Sequence, residues 1–313
     1  MIISASRRTD IPAFYSDWFF KRLQEGYVLV RNPMNCHQVS KIILNPDVVD
    51  CIVFWTKNPA PMLNRIDELK DYNYYFQFTL NSYAKDIEPN VPVKDKEVIK
   101  TFLTLSSKIG RERVIWRYDP ILLNEKYTIE YHLKYFEKLA DHINGAFDHC
   151  VISFIDIYKK ITNRIKSNSI LEPSINDIDL IVKRFSEIAR NRNFKIVSCA
   201  EKVDLSPYGI EHGKCIDDKL IEKIAGMPLN IGKDRNQRSE CGCVESIDIG
   251  LYNTCLHGCK YCYANFSDIS VASNTSSYDA NSPLLCSQLS SEDKVTIRNV
   301  DSSCDGQLRL IDS

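Results

Sequence analysis

Residues 246 to 265 read Ser246-Ile-Asp-Ile-Gly-Leu-Tyr-Asn-Thr-Cys255-Leu-His-Gly-Cys259-Lys-Tyr-Cys262-Tyr-Ala-Asn265. The first seven predict a strand, and it runs straight into three cysteines spaced by four and then three residues. Three thiolates at that spacing can wrap one face of a [4Fe-4S] cluster and leave the fourth iron without a protein ligand, which makes that iron a place for chemistry. Zinc could take the same three with His257, although its usual pattern is a pair of ligands, a long gap and a second pair.

Upstream, short apolar runs alternate with amphipathic stretches, the order expected of βαβ units on a parallel sheet. Strands are predicted over 1–6, 51–56, 74–80, 113–118, 150–155 and 194–199, with 246–252 as the seventh and 37–44 as an extra short one. Helices are predicted over 12–25, 60–70, 94–109, 128–143, 174–192 and 217–225. The last three begin near Thr, Ser or Asp, and glycine follows three of the six, as helix ends prefer. Beyond Asn265 the chain turns Ser- and Asn-rich, which predicts a polar, flexible tail over 266–313, mobile over 267–293, with the core complete before it.

The 313 residues are 44% hydrophobic and 26% charged, an ordinary soluble composition. Such a length allows two domains, but α/β barrels reach similar sizes as one domain, so one large domain with an appendage is expected. Forty Lys and Arg balance 41 Asp and Glu, so no basic excess recommends nucleic acid or a membrane surface. The amino end lacks the order of a secretory signal and no 18-residue apolar run occurs, so a cytoplasmic protein is expected.

Twelve cysteines are more than such a protein needs, and in a reducing compartment a surplus points to metal or catalysis. Besides the triplet, Cys199, Cys215, Cys241 and Cys243 form a second set within region 199–243. Four thiolates complete a closed [4Fe-4S] cluster or a structural zinc site, with an auxiliary iron-sulfur cluster favoured over zinc and four plain buried cysteines as the bland alternative. Cys36, Cys51 and Cys150 read as core residues, and Cys286 and Cys304 fall in the polar tail without partner spacing.

Polar groups follow the carboxyl end of each of the first six strands: Arg7, Arg8 and Asp10; Lys57 and Asn58; Thr79 and Asn81; Arg117 and Asp119; Asp156; and Glu201. In parallel α/β folds the βα loops converge at that end, so recurrence over six strands is stronger evidence than any single residue, each of which could simply cap a helix.

The motif Cys255-x-x-x-Cys259-x-Tyr261-Cys262 resembles the signature of radical S-adenosylmethionine (SAM) enzymes, and its Tyr-Cys-Tyr-Ala ending is similar to the branch near spore photoproduct lyase. In such enzymes the triplet usually follows the first barrel strand, whereas here only 51 residues follow Cys262. A circular permutation accommodates this, because a strand added last can lie beside the strand begun first. Ser6-Arg-Arg-Thr-Asp-Ile-Pro-Ala-Phe-Tyr15 and Phe54-Trp-Thr-Lys-Asn-Pro59 are similar to stretches after the second and third strands of the photoproduct-lyase group, and Phe76-Gln-Phe-Thr-Leu-Asn81 and Val114-Ile-Trp-Arg-Tyr-Asp-Pro120 follow in order. The whole pattern over residues 1–265 is similar to a widespread bacterial family known as a domain of unknown function.

The resemblance implies an α/β fold, a circularly permuted partial (β/α) TIM-type barrel with the cluster-binding strand last. It implies a [4Fe-4S] cluster on Cys255, Cys259 and Cys262, SAM cleaved to a 5′-deoxyadenosyl radical, and a reductant such as flavodoxin or ferredoxin. By the same analogy Arg7, Arg8, Asp10 and Lys57 are candidates for catalysis, and Gln77, Thr79, Asn81, Arg117, Asp119 and Tyr261 for cofactor contacts. The substrate class stays open between a small molecule or peptide and, less favoured by charge, nucleic acid as in photoproduct-lyase-like repair. A non-enzymatic iron-sulfur or zinc protein with a structural or redox-sensing role is the competing class.

Overall fold

The computed structural model describes residues 1–304. In chain order its elements are β1 (Ile2–Ala5), α1 (Ile11–Phe14), α2 (Ser16–Glu25), β2 (Tyr27–Asn32), β3 (Asn35–Ile43), β4 (Cys51–Thr56), β5 (Tyr74–Thr79), α3 (Ile99–Ile109), β6 (Val114–Ile121), α4 (Ile129–Ile143), β7 (His149–Phe154), α5 (Thr162–Ser167), α6 (Ile175–Asn191), β8 (Lys195–Ser198), β9 (Glu211–His212), α7 (Asp218–Ala225), β10 (Ile247–Asp248), α8 (Asp268–Ser276) and β11 (Lys294–Ile297). No helix among the described residues is long and apolar enough to cross a membrane.

Eight strands form one parallel sheet in the order β10-β1-β4-β5-β6-β7-β8-β9. The strand that precedes the cysteine triplet therefore lies beside the first strand of the chain, with Ile3 opposite Ile247 and Ser4 opposite Asp248. The α/β architecture with a large parallel sheet is as expected; of the expected partial barrel the structure shows an open sheet, with β10 and β9 as unpaired edges among the described residues. Two residues each are too few to carry a ladder across that gap.

Alternation assigns the two faces of the sheet. Ile3, Phe54, Phe76, Trp116 and Ile152 pack under the helices in the larger core. The amphipathic stripes of α4 and α6 supply that cover: Trp116 stacks on Phe136 at 4.9 Å and Phe136 on Phe185 at 3.7 Å. Each fully buried side chain of this kind contributes roughly 1.5–3 kcal/mol. The other face, with Ile2, Val53, Tyr75, Ile115 and Val151, is covered by the segment that carries Cys215, Ile216, Leu220, Ile221, Cys241 and Cys243. The cysteine-rich stretch thus fills the face that barrel closure would otherwise enclose.

Helix α6 starts with a capping box in which Ser174 and Asp177 satisfy each other's backbone amides. Ser174→Ala is expected to cost about 1 kcal/mol, read as a lower urea midpoint with an unchanged slope.

Several sequence expectations are corrected. The helix expected over 12–25 is two helices broken at Tyr15, whose hydroxyl bonds Thr254 O at 2.5 Å and so turns the chain toward the cysteine loop. The stretch Ala60–Leu69 is a 3-10 helix, and 94–98 is a π turn before α3. The extra strand is longer than expected and belongs to a hairpin with β2, joined by β11 into a separate three-stranded sheet. Cys36 lies exposed there, not in the core. The core also extends past Asn265. Leu284, Leu285 and Cys286 are buried, and Trp18 and Arg22 donate to the carbonyls of Ser282 and Asn281. The last nine residues of the expected tail lie outside the described residues.

Candidate functional site

The triplet loop leaves the carboxyl end of β10 and is held by several other segments. Asn253 takes the amides of Phe266 and Ser267, Asn265 bonds both backbone groups of Cys255, and Lys260 N donates to Ile87 O at 2.9 Å. Asn90 reaches Leu256 O and His257 O. Gly258 sits at φ +69°, where a side chain would be strained and would also press on Pro89.

Asp10 ties three loops together. Its Oδ1 caps α1 through Ala13 N, while Oδ2 accepts from Lys57 N at 2.7 Å and His257 Nε2 at 2.8 Å. That fixes the buried His257 ring, with Phe14 edge-on at 4.6 Å, and leaves its Nδ1 buried without a partner.

Lys57 Nζ donates to Glu88 Oε1 at 2.7 Å and to the Tyr261 hydroxyl at 2.8 Å. Glu88 is buried and also takes Lys94 Nζ and the Tyr261 hydroxyl, and Asn81 Nδ2 reaches that hydroxyl at 3.2 Å. Burial opposes ionisation of Glu88, but the two ammonium groups prevail and hold its carboxyl well below the usual carboxylate range. Glu88 and Lys94 were not anticipated; the stretch 81–93 has no periodicity, and a lone Glu before Pro89 carries no signal of its own.

Burial pushes the thiols of Cys255, Cys259 and Cys262 up, each feeling at least one charged neighbour, and Lys57 opposes the rise at Cys259 and Cys262. Thiols so placed are poor free nucleophiles; they become thiolates on a metal. Among the described residues no three His, Cys, Asp or Glu side chains converge as they would on a single ion. An iron-sulfur cube distributes its ligands over separate irons, and Cys255, Cys259 and Cys262, carried on one short loop, suit that demand by the chemistry of the donor set.

In the second set Cys199 Sγ lies 3.1 Å from Cys215 Sγ, Cys243 Sγ accepts from Ile216 N, and the neighbouring Cys243 draws the Cys241 thiol down to about 7. Tetrahedral zinc with bonds of about 2.3 Å would hold sulfurs roughly 3.8 Å apart, so the 3.1 Å contact selects neither zinc nor a cube.

Of the groups expected to contact cofactor, two turn to this second set. Gln77 Nε2 donates to Cys215 O at 2.9 Å, and Arg117 Nη1 to Cys215 Sγ at 2.9 Å. Arg117 is also clamped by Asp119, which takes Nε at 2.9 Å and Nη2 at 2.5 Å. Asn81 and Tyr261 belong to the triplet side, and Thr79, in register with Arg117, makes no side-chain hydrogen bond. Arg8 lies over Tyr252 and donates to Gly250 O. Arg7 lies over Trp55 at 5.2 Å, its amide fixed by Asp248. Asp156 pairs with Arg238 at the rim, and Glu201 accepts from Phe154 N with its carboxyl raised to about 7 by burial. Asn58 serves a local turn, its side chain accepting from Ala60 N.

No curated protein and no solved structure matches the chain significantly. Residues 2–264, the sheet and both cysteine sets included, match one family along nearly their whole extent, and on that match the chain belongs to the family described as a domain of unknown function, DUF1848.

Proposed function

We propose that the chain is a radical SAM enzyme, with Cys255, Cys259 and Cys262 holding a [4Fe-4S] cluster and Cys199, Cys215, Cys241 and Cys243 an auxiliary one. The observation that carries the reading is the seating of the triplet loop against the carboxyl ends of β1 and β4, through Asp10, His257, Lys57 and Tyr261. A permuted order explains why the last strand of the sheet lies beside the first. When bound, the cluster with SAM supplies reductive sulfonium cleavage and a 5′-deoxyadenosyl radical for hydrogen abstraction.

The chain's own residues would position and shield. Glu88 keeps Lys57 and Tyr261 beside the loop, Asp10 holds the His257 ring with Nδ1 free to bond a ligand, and Phe14 and Tyr15 help close the space against water. The balanced charge favours a small-molecule or peptide substrate over nucleic acid.

Anaerobically reconstituted protein is expected to bind about eight irons if both sites hold [4Fe-4S] clusters. With dithionite it should convert SAM to 5′-deoxyadenosine. Tight metal binding with no cleavage would instead favour a structural or redox-sensing metal protein.

A further inference from the structure

Buried polar atoms in a folded chain are almost always hydrogen-bonded, because an orphaned one costs about 1–3 kcal/mol. Among the described residues five buried side-chain atoms have no partner, and three of them fall on two adjoining loops: Arg7 Nη2, Thr9 Oγ1 and His257 Nδ1. Asp10 joins those loops. Such a concentration marks a place that a ligand completes.

Of the three, Arg7 specifies the ligand. The other buried or half-buried cations at this end of the sheet are each matched by a carboxylate: Arg8 by Asp248, Lys57 and Lys94 by Glu88, Arg117 by Asp119. Among the described residues the Arg7 guanidinium has no hydrogen bond and no ion pair, although it lies over Trp55 and its backbone is fixed at both ends, by Asp248 and by the Tyr263 hydroxyl. Asp248 cannot release a free oxygen to it, because its carboxylate already accepts from Ser4, Ser6, Arg7 N and Gly250 N. A charged and unsatisfied guanidinium resting on an aromatic ring is preorganised for an oxyanion, which it can take with two parallel N–H bonds.

We propose that Arg7 binds an anionic group, carboxylate or phosphate, of the enzyme's substrate. The inference rests on the radical SAM reading for the word substrate, but the anion site itself does not. The placement separates this anion from SAM: Arg7 lies over Trp55, which packs against the core that holds Cys215 and Cys243 of the second set, whereas Lys57 donates to Tyr261 of the triplet loop. The bound anion therefore sits toward the second set, and the rest of the substrate extends toward the triplet.

The test is calorimetric titration of the full-length reconstituted protein with acetate and, separately, inorganic phosphate. Arg7→Gln should weaken whichever probe binds by at least about tenfold, and Arg7→Lys by less, since it keeps charge but loses the fork. Arg238→Gln, at a rim cation already paired with Asp156, should leave the affinity within twofold. Binding by neither probe, or equal binding by wild type and Arg7→Gln, overturns the proposal. Displacement of the anion by saturating SAM also overturns it, because the site would then belong to SAM's own carboxylate. If Arg7→Gln does not fold, Trp55→Leu, which removes the stacking face, must show the weakened affinity instead. Failure of SAM cleavage in the parallel assay would sink the enzymatic reading while the titrations still decide whether Arg7 is an anion site.

Discussion

Cys259→Ala is expected to reduce 5′-deoxyadenosine formation from SAM to background, a loss of at least about 10³-fold, equivalent to about 4 kcal/mol of activation free energy. The same protein should keep about four irons, those of the second set. The physical reason is geometric: two remaining thiolates cannot fix a cube in one orientation, and Cys259 is buried two residues before Tyr261 of the Lys57–Glu88–Tyr261 cluster. Cys215→Ala makes the converse prediction for metal, with iron retained at the triplet and lost from the second set. Iron assay and product chromatography on the two variants together separate the sites. Retention of full cleavage by Cys259→Ala would remove the triplet from the chemistry.

Glu88→Leu is expected to give the largest loss of folding stability among single substitutions at the site. Glu88 is 1% exposed and neutralises two lysines whose side chains are 14% and 17% exposed. Removing one partner of a buried pair typically costs 3–5 kcal/mol; the partial exposure of both lysines places this case near about 3 kcal/mol. The sign with pH follows from linkage. The folded-state pKa of Glu88 lies below its unfolded value, so its contribution is full above the unfolded value and fades as pH falls toward the folded one. Wild type and Glu88→Leu should therefore converge in urea midpoint on acidification below about pH 4. Equal midpoints at pH 7 would show that the cluster contributes nothing net. The triple variant Glu88→Leu, Lys57→Met, Lys94→Met should recover most of the stability, since apolar replacements of a whole buried ionic group are often neutral, yet it should lack the hold on Tyr261.

Much of the sheet is legible in the sequence because its strands are buried on both faces and read as largely apolar runs, such as Cys51–Thr56 and Tyr74–Thr79. The placement of β10 beside β1 follows from the resemblance and not from periodicity, for two residues of pairing leave almost no pattern. The short edge strands β9 and β10 leave equally little pattern, so the sequence alone does not say how far the sheet curls. The 3-10 helix over Ala60–Leu69 reads as an α-helix in the sequence because its buried Met62, Leu63, Ile66 and Leu69 are spaced as an α-helix would space them. The packing of Leu284 and Leu285 was hidden by the polar residues around them.

Site residues divide in the same way. The cysteines and the strand-end groups are candidates from the sequence because motif spacing and strand ends are local properties. Glu88, Lys94 and the Asp10–His257 pair depend on contacts between loops far apart in sequence, and no local pattern encodes them. Gln77 and Arg117 were expected at the SAM side, yet their hydrogen bonds run to Cys215, since alternation turns them toward the covered face of the sheet.

The most direct test of the central claim is electron paramagnetic resonance of dithionite-reduced Cys215→Ala protein, with and without SAM. The account predicts a reduced iron-sulfur signal whose g values change when SAM is added, because one iron is open to it. A signal indifferent to SAM, or no iron-sulfur signal at all, would contradict it.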